Sequence, residues 1–118
     1  MPPPIDVEDM SDEDLERMVR NAQRASKFLK AISHEGRLMI LCYLVSGEKS
    51  VKELEDLMSA RQPAVSQQLG RLRYEGLVTT RRDGKTIFYR LADDRPRQIL
   101  DVVYDMFCRE EAEPGQDA

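Results

Sequence analysis

The sequence predicts a mainly α-helical domain with one small β-hairpin, the winged helix-turn-helix arrangement, in the order αααα-ββ-α. Three observations predict it. Two short helical patterns follow each other closely in the middle of the chain, at about residues 50–58 and 63–75. Two runs of β-forming residues then meet at Asp83-Gly84, a strong hairpin signal. The last helical pattern, at about residues 95–110, has apolar residues on more than one stripe, which predicts contact with a second subunit in a homodimer.

The first three helices are predicted from their starts and their apolar spacing. Ser11, with acidic residues in the turn that follows, begins a helix whose apolar positions recur at helical spacing as far as Ile32. A second helix covers about residues 35–45, and Gly47 is a suitable stop. Ser50 and Glu53 form a capping box that opens a third helix. Its predicted inward-facing residues are Val51, Leu54, Leu57 and Met58.

The fourth helix and the hairpin complete the pattern. Pro63 suits the first turn of a helix, where its missing N–H costs nothing. Val65, Leu69 and Leu72 form the predicted core stripe, and Gly76 ends the helix. Residues 77–82 and 85–91 are predicted strands, joined by a type I′ turn at Asp83-Gly84.

At 118 residues, the chain has the length of one domain. We expect residues 11–111 to form the folded domain, with disordered tails at 1–10 and 112–118. The longest apolar run, residues 38–45, is too short to span a bilayer, and the first ten residues lack the pattern of a signal peptide. These observations predict a cytoplasmic protein with no membrane partner, in which a permanent structural disulfide is not expected.

Charge is segregated along the chain. Residues 61–90 contain seven Lys or Arg and two acidic residues, for a net charge of +5, although the whole chain has a net charge of −4. Positive charge concentrated in one segment is typical of an element that contacts DNA phosphates.

The fourth helix is predicted to read DNA. With its apolar stripe turned inward, its other side chains are available to base edges in the major groove. The candidate residues on this helix are Gln62, Ala64, Ser66, Gln67, Gln68 and Arg71. Arg81, Arg82 and Lys85 flank the hairpin turn and are predicted to reach phosphates or the adjacent minor groove.

Two other classes of function are weaker interpretations of the same residues. A dimeric adaptor module that has lost DNA binding would not need the +5 segment. An enzyme is less favoured still, because the sequence offers no nucleophile–base pair, metal cluster or Gly-rich phosphate loop, and no cofactor is predicted.

The stretches LKAISHEGRLMILCYL, SVKELEDL and QPAVSQQLGRLRYEGLVTTRRDGKTIFYRL resemble the ArsR/SmtB repressors over about residues 20–108. The resemblance implies a homodimer that pairs through its first and last helices, binds an imperfect palindrome in double-stranded operator DNA, and releases it when an inducer binds. It also implies that Ser66, Gln67 and Gln68 occupy the usual DNA-reading positions.

The inducer is predicted from the two cysteines of the chain, Cys42 and Cys108. The cysteine box of the family's metal sensors is absent from the matching segment, residues 53–57, and His34 is the only histidine. The cysteine positions resemble the SqrR/BigR subgroup, which senses persulfides and polysulfides, and the related HlyU-type regulators, which have been linked to oxidant sensing. This resemblance implies a sulfur bridge between Cys42 and Cys108 that releases the DNA. Peroxide or As(III) remains an alternative signal.

Overall fold

The structure is a computed structural model that describes residues 9–58 and 64–108. Its elements are α1 (Asp12–Ile32), α2 (Glu35–Val45), β1 (Lys49–Ser50), α3 (Val51–Met58), α4 (Val65–Tyr74), β2 (Val78–Asp83), β3 (Thr86–Leu91) and α5 (Arg95–Phe107). The predicted C-terminal tail (112–118), most of the N-terminal tail (1–10), Gln62 and Pro63 lie outside the described residues. No helix among the described residues is both long enough and apolar enough to cross a membrane.

The capping signals predicted from the sequence are present. The Ser11 hydroxyl accepts a hydrogen bond from the Asp14 amide at the start of α1. At α3 the capping box is complete, because the Ser50 hydroxyl accepts from the Glu53 amide at 3.1 Å and the Glu53 carboxylate accepts from the Ser50 amide at 2.8 Å. These bonds satisfy amides that helical bonding leaves free.

The core lies between α2, α3, α4 and the sheet. Its fully buried residues include Ile40 and Leu41 of α2, Leu54 of α3, and Leu69 and Leu72 of α4. The predicted stripe of α4 is therefore confirmed, with Val65 also buried. The predicted inward position of Leu57 is wrong, since its side chain is 46% exposed. Successive helical residues are about 100° apart, so Leu57 lies at the edge of the stripe that Leu54 and Met58 define.

The sheet has three antiparallel strands in the order β1-β3-β2. The sequence predicted two, and β1 was missed because it contains only two residues, Lys49 and Ser50, which pair with Tyr89 and Phe88. The predicted turn is shifted by one residue. Asp83 pairs with Thr86, so the two-residue loop is Gly84-Lys85.

The turn type also differs from the prediction. Gly84 has φ +65°, and of the two loop residues it alone has a positive φ. A positive φ confined to the first central residue is the type II′ pattern, whereas type I′ needs it at both. The sequence predicted Gly84 at the second central position of the turn, but Gly84 occupies the first central position. This placement explains the shifted strand ends.

Two helices have large exposed apolar faces. On α1 the exposed residues include Leu15, Met18, Val19 and Leu29. On α5, which ends at Phe107 rather than near residue 110, Leu100 is buried against the core while Val102, Tyr104, Met106 and Phe107 are exposed. The prediction that α5 has more apolar surface than one core contact can cover is confirmed.

Candidate DNA-binding surface and thiol pair

The recognition helix, α4, presents polar side chains on the side away from its core stripe. Ser66, Gln67 and Arg71 are exposed, as the sequence predicted, while Val65, Leu69 and Leu72 hold the opposite side of the helix in the core. Arg71 is paired with Glu75 one turn later, with 3.1 Å between Nε and Oε2. Exposed pairs of this kind contribute little to stability, so the Arg71 guanidinium can exchange Glu75 for a phosphate.

The residue that precedes α4 has an unusual backbone. Ala64 caps the helix with φ +65° and ψ +41°, and its methyl side chain offers no hydrogen bond to the amides at this end. Its carbonyl accepts from the Gln67 and Gln68 amides at 3.0 and 3.2 Å. Left-handed backbone costs an L-residue other than Gly about 1–2 kcal/mol. Ala64 therefore sets a sharp entry into the recognition helix, and its side chain is exposed.

Gln68 differs from its neighbours because it is only partly exposed and already bonded. Its Oε1 accepts a hydrogen bond from Nη1 of Arg37, on α2, at 3.0 Å. Arg37 also donates to two backbone carbonyls at the C-terminal end of α1, from Nε to Ala31 at 2.6 Å and from Nη2 to Lys30 at 3.4 Å. The end of α1, the start of α2 and the recognition helix are thereby joined at one guanidinium.

The hairpin of β2 and β3, which we call the wing, carries the other predicted DNA contacts. Arg82 and Lys85 are exposed beside the turn. Arg81 is also exposed, but its guanidinium is bonded to both carboxylate oxygens of Glu48, in the segment before β1. It also lies 4.7 Å from the ring centroid of Phe88 and 3.9 Å from a carboxylate oxygen of Asp83.

The Glu48–Arg81 pair affects the protonation of both groups. The hydrogen bonds from Arg81 hold the pKa of Glu48 below its usual range, and the charges of Arg81 and Arg90 lower it further. The same bonds raise the pKa of Arg81. Both side chains stay charged at neutral pH, so Arg81 reaches any DNA phosphate only in competition with Glu48.

The two cysteines lie on elements that pack together. Cys42 lies within α2, Cys108 caps the C-terminal end of α5, and both are free and exposed. Partial burial raises the pKa of the Cys42 thiol, and a charge on Cys108 raises it further. The helices that carry the two thiols, α2 and α5, pack against each other. In the described part of the chain, no group of three or more His, Cys, Asp or Glu residues could hold a metal ion.

Arg37 and Glu48 are site residues that the sequence analysis missed. Each contacts a predicted DNA-reading residue about thirty positions away, Gln68 and Arg81 respectively. Spacing along one helix or strand reveals neither contact. The only sequence signal is that each is a charged residue next to an element boundary, at the start of α2 and just before β1.

A hairpin wing beside a helix–turn–helix, with polar and basic side chains on the recognition helix, defines a winged helix DNA-binding protein. Comparison with known proteins narrows this class. Residues 34–80 match the family described as "Bacterial regulatory protein, arsR family". The chain is 45% identical to the biofilm growth-associated repressor of Agrobacterium fabrum over 92% of this chain and 90% of that protein. The chain therefore belongs to the arsR family of bacterial regulatory proteins.

Solved structures agree with this assignment. The crystal structure of the transcriptional repressor BigR from Xylella fastidiosa has 46% identity and a TM-score of 0.71, and the match covers 84% of this chain and 98% of that one. Reduced HlyU from Vibrio cholerae has 37% identity and a TM-score of 0.73, over 80% of this chain and 99% of that one. The protein is a transcriptional regulator of this type and not an enzyme, as the sequence predicted.

Proposed function

We propose that the protein is a homodimeric transcriptional repressor whose DNA binding is controlled by its two thiols. In the reduced state, α4 and the wing bind an imperfect palindrome in double-stranded operator DNA. Reactive sulfur species, persulfides or polysulfides, then link Cys42 to Cys108, and the protein releases the DNA. The observation that carries the proposal is the placement of these two free, exposed thiols on α2 and at the end of α5, two helices that pack against each other.

The DNA-binding part is supported by exposure and charge. Ser66, Gln67 and Arg71 are exposed on α4, and Arg82 and Lys85 are exposed on the wing. Ala64 and Arg81 are also exposed, Gln68 is half-buried, and Gln62 remains a proposed contact from the sequence alone. These residues belong to the segment with net charge +5. Such a surface binds DNA with an affinity that falls steeply as salt rises.

The homodimer is supported by the exposed apolar faces of α1 and α5. Four large apolar side chains of α5 (Val102, Tyr104, Met106, Phe107) and four of α1 (Leu15, Met18, Val19, Leu29) are each at least 41% exposed in the single chain. Large apolar patches on one chain are typical of protein–protein interfaces. Pairing through these helices would set the separation of two recognition helices, which must match successive major grooves about 34 Å apart.

The sulfur chemistry needs no oxidant other than the polysulfide. A thiolate of one cysteine attacks a sulfur atom of the polysulfide, an S–S bond breaks, and one thiolate leaves. The second cysteine, as a thiolate, attacks the bound sulfur chain and displaces a second thiolate. The product is a bridge between Cys42 and Cys108 that contains the remaining sulfur atoms. Both cysteines are oxidised and the polysulfide is reduced to two thiols.

The bridge would act on the elements that hold the DNA-binding surface. It would tie α2 to α5, and α2 packs against α4, which reads the DNA. In a homodimer paired through α5, this restraint would change the relative position of the two recognition helices. Because half-site spacing is fixed by the duplex, a small change of position would lower affinity greatly.

Fluorescence anisotropy with the protein's own upstream promoter DNA tests the proposal. Reduced wild type, wild type treated with an organic polysulfide, and the variants Cys42→Ser and Cys108→Ser are compared at one salt concentration. We expect polysulfide to lower the affinity of the wild type for the DNA at least tenfold, while both treated variants stay bound. Equal binding by treated and reduced wild type would overturn the sulfur switch, and arms with peroxide and As(III) would then test the alternative signals.

The same titration tests the DNA-binding part separately. The logarithm of the affinity of the reduced wild type for DNA should fall linearly with the logarithm of the salt concentration. This dependence is expected when cations of the protein replace counterions on phosphates. Failure of the reduced protein to bind DNA at low salt would favour the dimeric adaptor module instead. Each complex should contain two protein chains bound to one duplex. We place this activity in the cytoplasm, where both thiols are held reduced.

A further inference from the structure

We propose that Arg37 fixes the side-chain amide of Gln68 so that Gln68 meets DNA with its Nε2 donors and favours guanine over adenine at the base pair it faces. The inference rests on the proposed binding of DNA by α4. It assigns Arg37 as a positioning residue and Gln68 as a residue that determines specificity.

The guanidinium of Arg37 is anchored before it meets Gln68. Its Nε and Nη2 donate to the carbonyls of Ala31 and Lys30, at 2.6 and 3.4 Å. These carbonyls belong to the last turn of α1, where helical bonding leaves acceptors free and the helix dipole is negative. Two anchored nitrogen atoms fix the plane of the guanidinium, so the direction of its third bond, from Nη1, is also fixed.

That third bond determines which way the Gln68 amide is turned. Nη1 lies 3.0 Å from Oε1 of Gln68. Guanidinium has five N–H donors and no acceptor, so only the oxygen end of an amide can face it. The Nε2 group of Gln68 is then turned away from Arg37 and carries two donor hydrogens. The orientation follows from the chemistry of the partner.

A glutamine held in this way differs from a free one. A free glutamine recognises adenine with both ends of its amide, donating to N7 and accepting from the N6 amino group. In Gln68 the oxygen already accepts from Arg37, and the amide is held with its two Nε2 donors turned away from that residue, so donation is the main interaction that it offers to DNA. Guanine presents two adjacent acceptors, N7 and O6, in the major groove, so it suits a pair of donors. Adenine presents N7 as its acceptor, and the amino group beside it is itself a donor.

The neighbouring residue provides an internal control. Gln67 is exposed on the same helix and makes no side-chain hydrogen bond within residues 9–58 and 64–108. Its amide is free to rotate and can use both ends toward a base. Two adjacent glutamines of the recognition helix therefore differ in what they can read, and the difference arises from a residue on another helix.

Fluorescence anisotropy with a set of operator variants tests the inference. Each base pair of the promoter site is replaced in turn by the other three, and the reduced wild type, Gln68→Met, Gln67→Met and Arg37→Met are measured on every duplex. Gln68→Met identifies the base pair that Gln68 faces, as the position where its preference is lost. Gln67→Met is the matched control and should lose a preference at a different position.

We expect the wild type to bind a duplex with adenine at the Gln68 position at least fivefold more weakly than one with guanine there, because guanine presents a second acceptor where adenine presents a donor. Arg37→Met releases the amide, so this difference should fall below twofold at that position alone. Gln68→Glu keeps an acceptor for Arg37 and removes both donors. It should therefore fold with an unchanged melting temperature or a higher one and lose the preference.

Several results would overturn the inference. One is a wild type that prefers adenine at the Gln68 position. Another combines two observations: Gln68→Glu retains the wild-type preference, and Arg37→Met either fails to fold or binds every duplex more weakly by the same factor. A Gln68→Met variant that weakens all duplexes equally would show a phosphate contact without discrimination. A reduced wild type that binds no DNA at all would overturn the proposed function as well.

Discussion

The recognition helix and the wing each hold a proposed DNA-contacting side chain with a charged partner, and the two partners have opposite effects. On α4, Gln68 is held by the cation of Arg37, which occupies the end of the amide that DNA phosphates would repel. On the wing, Arg81 is held by the anion of Glu48, which occupies the group that DNA would attract. In the proposed complex, the first contact would prepare a side chain for binding, whereas the second would have to break before its side chain could bind a phosphate.

The difference extends to how firmly the two regions are packed. The recognition helix contributes Leu69 and Leu72 to the core with no exposed side-chain surface. On the wing, Val78 is the only buried residue of β2 and β3, and Ile87 is 36% accessible. A firmly seated helix suits base recognition, which needs fixed geometry. A loosely packed hairpin suits phosphate contacts, which tolerate adjustment.

The largest effect is expected from removing the core anchor of the helix. Leu69→Ala leaves a cavity at a fully buried site and should lower the free energy of unfolding by about 2–5 kcal/mol. Ile87→Ala, on the wing, should lower it by less than about 1.5 kcal/mol, because its side chain already contacts water. Urea unfolding followed by circular dichroism measures both. Equal losses would show that the wing is packed as firmly as the helix.

A pair of glycine substitutions should move stability in opposite directions. Gly84, with φ +65°, lies in the wing turn, so Gly84→Ala should cost about 1–2 kcal/mol from backbone strain. Gly70 lies within α4 with no atom within 4 Å of an added Cβ, so Gly70→Ala should stabilise by about 0.5–1 kcal/mol. The two midpoints of urea unfolding should therefore lie on either side of the wild-type value.

Releasing Arg81 from Glu48 should strengthen DNA binding, and we expect this effect to be smaller than the stability changes above. Glu48→Gln removes the anion that competes for Arg81, so affinity at low salt should rise several-fold and the salt slope should steepen by about 1. Glu55→Gln makes the same charge change at an exposed site on α3 and serves as the control. If the two variants gain equally, net charge rather than release of Arg81 accounts for the gain.

The smallest effect concerns pH. Hydrogen bonds from Arg81 lower the pKa of Glu48 below its usual 4.5, so the pair contributes above that value and is lost as pH falls through the lowered pKa. The ratio of affinities between Glu48→Gln and wild type should stay constant from pH 8 to about 5.5. Anisotropy titrations across this range check it. A ratio that falls toward one between pH 7 and 6 would show that Glu48 titrates higher and that its bond to Arg81 is weaker.

The sequence predicted the elements whose signals are local. The helix α2, the Ser50–Glu53 capping box and the buried stripe of Val65, Leu69 and Leu72 depend on residues a few positions apart. The strand β1 was missed because its two residues become a strand only through pairing with Phe88 and Tyr89. The turn was displaced by one residue because Asp-Gly fits either turn type, and only the pairing of Asp83 with Thr86 decides between them.

The site was predictable only in part for the same reason. Exposed residues of α4 and the wing follow from the positions of the core stripe and the hairpin. The partners Arg37 and Glu48 depend on how α2 and the segment before β1 are placed against those elements, and no periodic pattern encodes that placement. The placement of Cys42 relative to Cys108 likewise depends on the packing of α5 against α2.

Ser50 links two elements that would otherwise open independently. It is the last residue of β1, where it pairs with Phe88 of the wing, and its hydroxyl and amide both take part in the capping box of α3. Breaking the strand pair exposes the cap, and unwinding the first turn of α3 releases the strand. The inner edge of the wing and the first turn of α3 should therefore exchange their amide hydrogens with solvent as a single cooperative unit.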